Sequence, residues 1–310
     1  MITSGNNKKL SWSDLNMRKS IFFTIILLCL VTIISSIYLY SKILDITTDT
    51  TIENSRNIID KSPRIYIGVV SRFSPHLLYE GYQPAMDYLS KETPYQFSLR
   101  LSHSYQETIE QLSNGDVAAA FLGTYIYIQD RDANQLECIL KPLNSEGRPF
   151  FKSVVIAARK STIHSLDDLK NKRLALPSPH SYSANWLFTQ PGLKRTDFSE
   201  IQYFDFHNTV IYQILKGNFD GGIVKDRVAR EFADKGLRIV ARSKDIPASP
   251  LVVHKNTSLE IREAITRAFL KIDISQPEYK NLVKDWDPEF RYGFTEARDS
   301  DYRDKGSEKR

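Results

Sequence analysis

Residues 95–132 read YQFSLRLSHSYQETIEQLSNGDVAAAFLGTYIYIQDRD. YQFSLRLS has the alternation of a strand, and YQETIEQLSNG has helical spacing closed by Asn114-Gly115. DVAAAFLG is a short apolar run suited to a buried strand, and TYIYIQDRD predicts a short helix. Strand, helix, strand, helix is the βαβ rhythm of a parallel sheet, because parallel neighbours need a crossover that a helix supplies.

Working outward, RIYIGVV at 64–70 is a buried-strand pattern; a Ser-Pro loop follows, then YQPAMDYLS, whose Pro84 suits a first helical turn. Downstream, FFKSVVIAARK reads as one long strand, and STIHSLDDLKNKR as a helix capped by Ser165 with Asp167 and Asp168 in its first turn. RLALPSP then predicts a strand and turn, a helix runs from about Ser183 to Thr189, and IQYFDF, TVIYQILKGN, FDGGIVKD and LRIVARS continue the alternation. SPLVVH returns as a strand, and IREAITRAFLKI places Ile261, Ile265, Phe269 and Ile272 on one helix face, a core stripe. The expected fold class is α/β, with two similar α/β lobes joined by a two-crossing hinge and preceded by one transmembrane helix. Lobe 1 takes residues 63–155 and 250–290, and lobe 2 takes residues 156–249. Ligands of such folds bind where strand ends and helix N-termini of both lobes converge.

The N-terminus carries a different signal. From Ile21 to Tyr40 the sequence holds no charged residue and matches the ~20 apolar residues that cross a bilayer. Lys8, Lys9, Arg18 and Lys19 precede it, which keeps the N-terminus cytoplasmic. The expected organisation is a cytoplasmic tail at 1–19, a signal-anchor helix at 20–41 in the inner membrane, a polar stalk at 42–62 and an extracytoplasmic, periplasmic domain at 63–310. A cleaved secretory signal ending near Ser35 and Ser36 is the competing reading; the run stays apolar beyond them. A lipoprotein signal fits poorly, since Leu28 precedes Cys29 where a small residue is expected.

Composition excludes several classes. The net charge of +5 is spread along the chain, so there is no nucleic-acid footprint. The two cysteines, Cys29 and Cys138, give no disulfide framework, and Cys138 reads as a buried strand residue. The histidines and cysteines show no HxxxH or CxxC spacing, and no P-loop, Rossmann glycine pattern or G-x-S-x-G is present. No cofactor, metal or turnover is expected.

In order and spacing, these pieces resemble the phosphate/phosphite/phosphonate-binding proteins of ABC transporters, a PhnD-like branch of the type II periplasmic binding proteins. The resemblance runs from about residue 63 to the end. It is carried by IGVV at 67–70, Tyr82-Gln83-Pro84, SYQETIEQLSNGDVAAAFLG, HSLDDLKNKRLAL, LPSPHSYS, FDFHNTVIYQILKGNFDGGIV, KDIPASPLVV and DSDYR.

The resemblance implies a pocket for a small oxyanion. Ser181, Tyr182 and Ser183 fall where the family carries Ser-Thr-Ser, whose hydroxyls and amides grip phosphorus oxygens; here Tyr182 replaces the threonine. A helix-capping serine cluster is the plainer alternative for that stretch. His207 falls on a histidine that the family uses as a donor, and Tyr105 on a ligand-contacting tyrosine. Thr124 and Tyr125 open a helix after AAAFLG and offer a second set of N–H groups. Phe151 stands where aminoethylphosphonate-binding relatives carry tyrosine, and is expected to form a hydrophobic wall. Lys225 and Arg227 add positive character, with Asp226 between them. The acids that neutralise a ligand amine in those relatives correspond here to positions near Arg227 and at Ser249, which disfavours an amine-bearing phosphonate. The expected function is capture of phosphate, phosphite or an alkylphosphonate for an ABC permease, without catalysis. The alternative is presentation of the liganded state to a membrane sensor kinase, for this or another small oxyanion.

Overall fold

The computed structural model describes residues 23–36, 64–70 and 75–303, and the chain divides into two units, Met1–Lys61 and Ser62–Arg310. In the first unit, residues 23–36 are helical, with apolar side chains such as Phe23, Leu27 and Ile34 exposed. Among the described residues no helix is long and apolar enough to cross a membrane. The rest of the span expected at 20–41, the tail at 1–19 and the stalk at 42–62 lie outside the described residues.

The second unit lays down β1 (Arg64–Val69), β2 (Gln96–Leu101), β3 (Ala119–Phe121) and β4 (Leu136–Pro142). Phe150–Phe151 form β5, and β6 (Ser153–Ala158), β7 (Arg173–Pro177), β8 (Glu200–Phe204), β9 (Gly221–Lys225) and β10 (Leu237–Arg242) build a second sheet. β11 (Ile246–Pro247) pairs back on β5, while β12 (Leu251–His254) and β13 (Phe294–Glu296) rejoin the first sheet.

The sheet orders are β13-β4-β12-β3-β1-β2 and β10-β6-β9-β7-β8. Both contain the same kernel. β1 lies parallel between β2 and β3, as β7 lies between β8 and β9, and an antiparallel strand, β12 or β6, flanks the third. The order reverses at the first strand of each kernel, which opens a crevice at its carboxyl end.

The connecting helices are α1 (Pro75–Glu92), α2 (Tyr105–Ser113), α3 (Thr124–Asp130), α4 (Tyr182–Leu187), α5 (His207–Leu215), α6 (Asp226–Glu231), α7 (Leu259–Leu270) and α8 (Pro277–Leu282). Local chemistry sets their ends. Ser104 accepts from the Glu107 amide at 3.1 Å, and Glu107 accepts from the His103 amide at 2.6 Å, so both side chains satisfy amide donors at the start of α2. Gly115, at φ +76°, ends it in a conformation that costs other residues more. In β9, a Cβ on Gly222 would stand 2.5 Å from the Ala175 carbonyl oxygen, so the FDGGIV glycine is required for close β7–β9 packing.

The first core is strongly aromatic. Tyr82 meets Phe290 edge-on at 4.6 Å, and Phe121 stacks on Phe290 at 4.6 Å, pinning the 286–290 segment to the sheet. Each such ring contributes about 1.5–3 kcal/mol through burial. The expected stripe on α7 also packs inward: Ile265, Phe269 and Ile272 are buried and Ile261 is partly so.

The β5–β11 ribbon, pairing Phe151 with Ile246 and Phe150 with Pro247, carries both crossings between the sheets. Buried Tyr302 donates to the Ala248 carbonyl at 2.7 Å and ties the Asp299–Tyr302 turn to the residue that follows this ribbon.

Three local expectations are corrected. Pro84 lies inside α1 rather than in a first turn; the helix starts at Pro75, whose missing N–H costs nothing there. FFKSVVIAARK is two strands, because Lys152 separates the ribbon from β6. STIHSLDDLKNKR makes only one 3-10 turn, Asp167–Leu169, and the Asp168 carboxylate collects the His164 and Ser165 amides and the Ser165 hydroxyl. Extended Lys170 and positive-φ Asn171 prevent a further turn.

Candidate functional site

A cavity of about 60 Å³ opens between the two sheets of the second unit. That is several times the ~10–15 Å³ that one water molecule requires. The carboxyl ends of all six kernel strands, or the helix starts that follow them, reach it. Val70 follows β1, Tyr105 follows β2 and Gly123 follows β3; Pro177 ends β7, Asp205 follows β8 and Lys225 ends β9.

Five helix N-termini therefore border one small space. Tyr105 starts α2, Thr124 and Tyr125 start α3, Tyr182 and Ser183 start α4 behind Ser181, His207 starts α5, and Arg227 lies in the first turn of α6. Of these, α3, α4, α5 and α6 have no side chain capping their N-termini. Helix starts carry partial positive charge and unmatched N–H groups, so their convergence favours an anion.

All nine residues expected at the site (Tyr105, Thr124, Tyr125, Phe151, Ser181, Tyr182, Ser183, His207 and Lys225) line this cavity. Their hydrogen bonding separates them. The Ser181 side chain does not cap α4, whereas buried Ser183 shares a 2.8 Å hydrogen bond with Ser153 Oγ on β6. Thr124 donates to the Pro247 carbonyl at 2.9 Å, which joins α3 to the hinge. Tyr182 turns its ring edge-on to Phe151, centroids 6.5 Å apart.

The cations are already paired. Lys225 Nζ lies 2.7 Å from Glu289 Oε1, and Arg227 Nη1 lies 2.7 Å from Glu231 Oε1. Lys225 also donates to Ser249 Oγ at 3.3 Å and sits 4.7 Å from the Phe151 ring centroid. Asp226 points away from the cavity; it is buried, accepts from the Lys152 amide at 3.2 Å and pairs with Arg230 at 2.9 Å. Beyond these ion pairs the lining offers helix starts, hydroxyls and two histidines, His180 and His207.

Sequence reasoning missed His180, Ser178, Asp205 and Glu289 in the lining. Glu289 is the most consequential, since it places a carboxylate beside Ser249, where the sequence pointed to no acid. Ser249 Oγ donates to Glu289 Oε1 at 2.9 Å. Its one sequence signal is an acid between two aromatics, Trp286 and Phe290, that are both buried.

The family of periplasmic substrate-binding proteins of phosphonate ABC transporters matches residues 67–302, which include every lining residue named above. This chain belongs to that family. It is thereby a periplasmic-type substrate-binding protein of the phosphonate ABC-transporter class, and such proteins are not enzymes.

Solved structures show the same fold. A binding-protein component of an ABC phosphonate transporter from Pseudomonas aeruginosa aligns with a TM-score of 0.67 at 20% identity, covering 78% of this chain and 83% of that one. PhnD1 from Prochlorococcus marinus, solved in complex with methylphosphonate, aligns at 0.66 and 17% identity, covering 77% and 94%. A Xanthomonas citri protein solved bound to ATP aligns at 0.61 and 18% identity, covering 75% and 90%.

Proposed function

We propose that this family member captures a small phosphorus oxyanion (phosphate, phosphite or a short alkylphosphonate) in the interlobe cavity and delivers it to an ABC permease while held at the membrane by residues 20–41. The observation that carries the ligand reading is the convergence of five helix N-termini on a 60 Å³ space whose lysine and arginine are both already in ion pairs. Such a site stabilises a compact, highly charged anion through oriented N–H dipoles and hydroxyls, without a metal. Among the described residues no group of His, Cys, Asp or Glu side chains could hold a metal ion.

On this reading Ser181, His207 and Tyr105 donate to the phosphorus oxygens, with the starts of α3 and α4 adding N–H groups. Phe151 and Tyr182 pack against a short alkyl substituent. The uncharged stretch from Ile21 to Tyr40 supports the anchor.

Calorimetry of the full chain in detergent against phosphate, phosphite, methylphosphonate and sulfate tests the ligand class. Saturable binding of at least one phosphorus anion in preference to sulfate is expected; flat titrations for every phosphorus compound would sink it.

A further inference from the structure

The wall of the cavity contains a second recognition element that an oxyanion does not use. Glu289 offers a carboxylate, Ser249 a hydroxyl 2.9 Å from it, and Phe151 a ring face. A carboxylate, a hydroxyl and an aromatic face together are the ingredients of an ammonium site. That site is filled by the chain itself. Lys225 Nζ is 2.7 Å from Glu289, 3.3 Å from Ser249 Oγ and 4.7 Å from the Phe151 centroid. The Lys225 and Glu289 side chains are 14% and 13% exposed, so little solvent competes for the pair. The same wall separates the small cavity from a larger one of about 490 Å³, which is also lined by Phe151, Lys225, Arg227 and Glu289.

We propose that Glu289, Ser249 and Phe151 form an ammonium subsite that Lys225 occupies from within the chain, so that the cavity selects phosphorus oxyanions lacking an amine over aminoalkylphosphonates. This rests on the phosphorus-oxyanion reading above. A ligand ammonium would have to displace a tethered ammonium from a largely desolvated carboxylate and would leave that lysine without its partner. The amine is therefore rejected because its place is taken.

Lys225→Met retains side-chain length, keeps the partition filled and removes the tethered charge. Calorimetry of the full chain then compares methylphosphonate with 2-aminoethylphosphonate. Wild type is expected to prefer methylphosphonate, and Lys225→Met to raise the aminoethylphosphonate-to-methylphosphonate affinity ratio about tenfold or more. Adding Glu289→Gln to that variant is expected to abolish the gain. Lys225→Arg is expected to keep wild-type selectivity.

Glu289→Gln alone leaves the lysine in place and keeps the test independent of how Lys225→Met folds; it is expected to tighten methylphosphonate binding. An unchanged ratio in Lys225→Met, a gain that survives in the double variant, unchanged methylphosphonate affinity in Glu289→Gln, or a wild type that prefers the amine would each overturn the proposal. A wild type that binds no phosphorus anion would instead remove the reading on which it rests, and the proposal with it.

Discussion

The Tyr105 ring, from the first lobe, lies 5.1 Å from the His180 ring of the second, centroid to centroid, at 44°. Both residues border the cavity, one from each lobe, so this contact is made only when the lobes are together. Aromatic pairs of this kind are worth about 0.5–1.5 kcal/mol beyond their burial. Tyr105→Ala removes this contact and the phenol donor together and is expected to weaken methylphosphonate binding about tenfold or more. A double-mutant cycle with His180→Ala checks the origin. A coupling energy near zero would mean that the ring contact does not support closure.

Ser181 and Ser183 are neighbours in one motif, but the structure gives them different work. Ser183 is buried against Ser153 Oγ, so Ser183→Ala orphans that hydroxyl and is expected to cost about 1–3 kcal/mol in urea unfolding. Ser181→Ala is expected to leave stability nearly unchanged and to weaken methylphosphonate binding by about 1.5–3 kcal/mol, the range for a hydrogen bond to a charged group. The reverse pattern, with Ser183 governing affinity and Ser181 stability, would show the assignment to be inverted.

Arg173 donates to both oxygens of Asp220, at 2.8 and 3.2 Å, and its amide adds a 2.9 Å bond. The guanidinium is the main cause that holds the Asp220 carboxyl below its ordinary value of 3.8, against partial burial, which pushes the other way. A carboxyl lowered in the folded state stabilises the fold fully above its ordinary value, and that stability is lost as pH falls below it through the lowered value. The stability gap between wild type and Asp220→Asn should therefore be full at pH 6 and shrink on acidification below about pH 4. Urea unfolding across pH 2.5–6 measures it; a gap independent of pH would count against the linkage.

Burial pushes the Cys138 thiol up to about 12, and its sulfur lies 3.4 Å from the Asp299 carboxylate. At pH 8 it stays protonated and unreactive, since the thiolate is the nucleophile. In a Cys29→Ser chain, maleimide labelling is expected only after denaturation. Labelling of the native protein at the rate of an exposed thiol would show that the β4 core opens readily.

The order of elements was legible in the sequence because parallel strands, buried on both faces, read as unbroken runs without charge such as IYIGVV and GGIV, and the helices between them carry their own periodicity and caps. Ser104, Glu107 and Gly115 close α2 through contacts a few residues long. Eight of the nine expected site residues, all but Phe151, lie at or just after strand ends, where such folds place ligands, and so their meeting in one cavity could be anticipated. Pro84 and the 161–173 segment were misread because a helix start and a single turn differ by backbone angles that local composition barely constrains.

What the sequence could not show was which distant side chains pair with one another. Lys225 and Glu289 are 64 residues apart, and no local pattern marks them as a pair. They meet because Phe290 stacks against Phe121 in the first core and carries Glu289 to the end of β9. Residue types thus determined the strands, the helices and the kind of site. The charge state of its wall was decided by tertiary packing, since a carboxylate and an ammonium neutralise each other only where the fold brings them within reach.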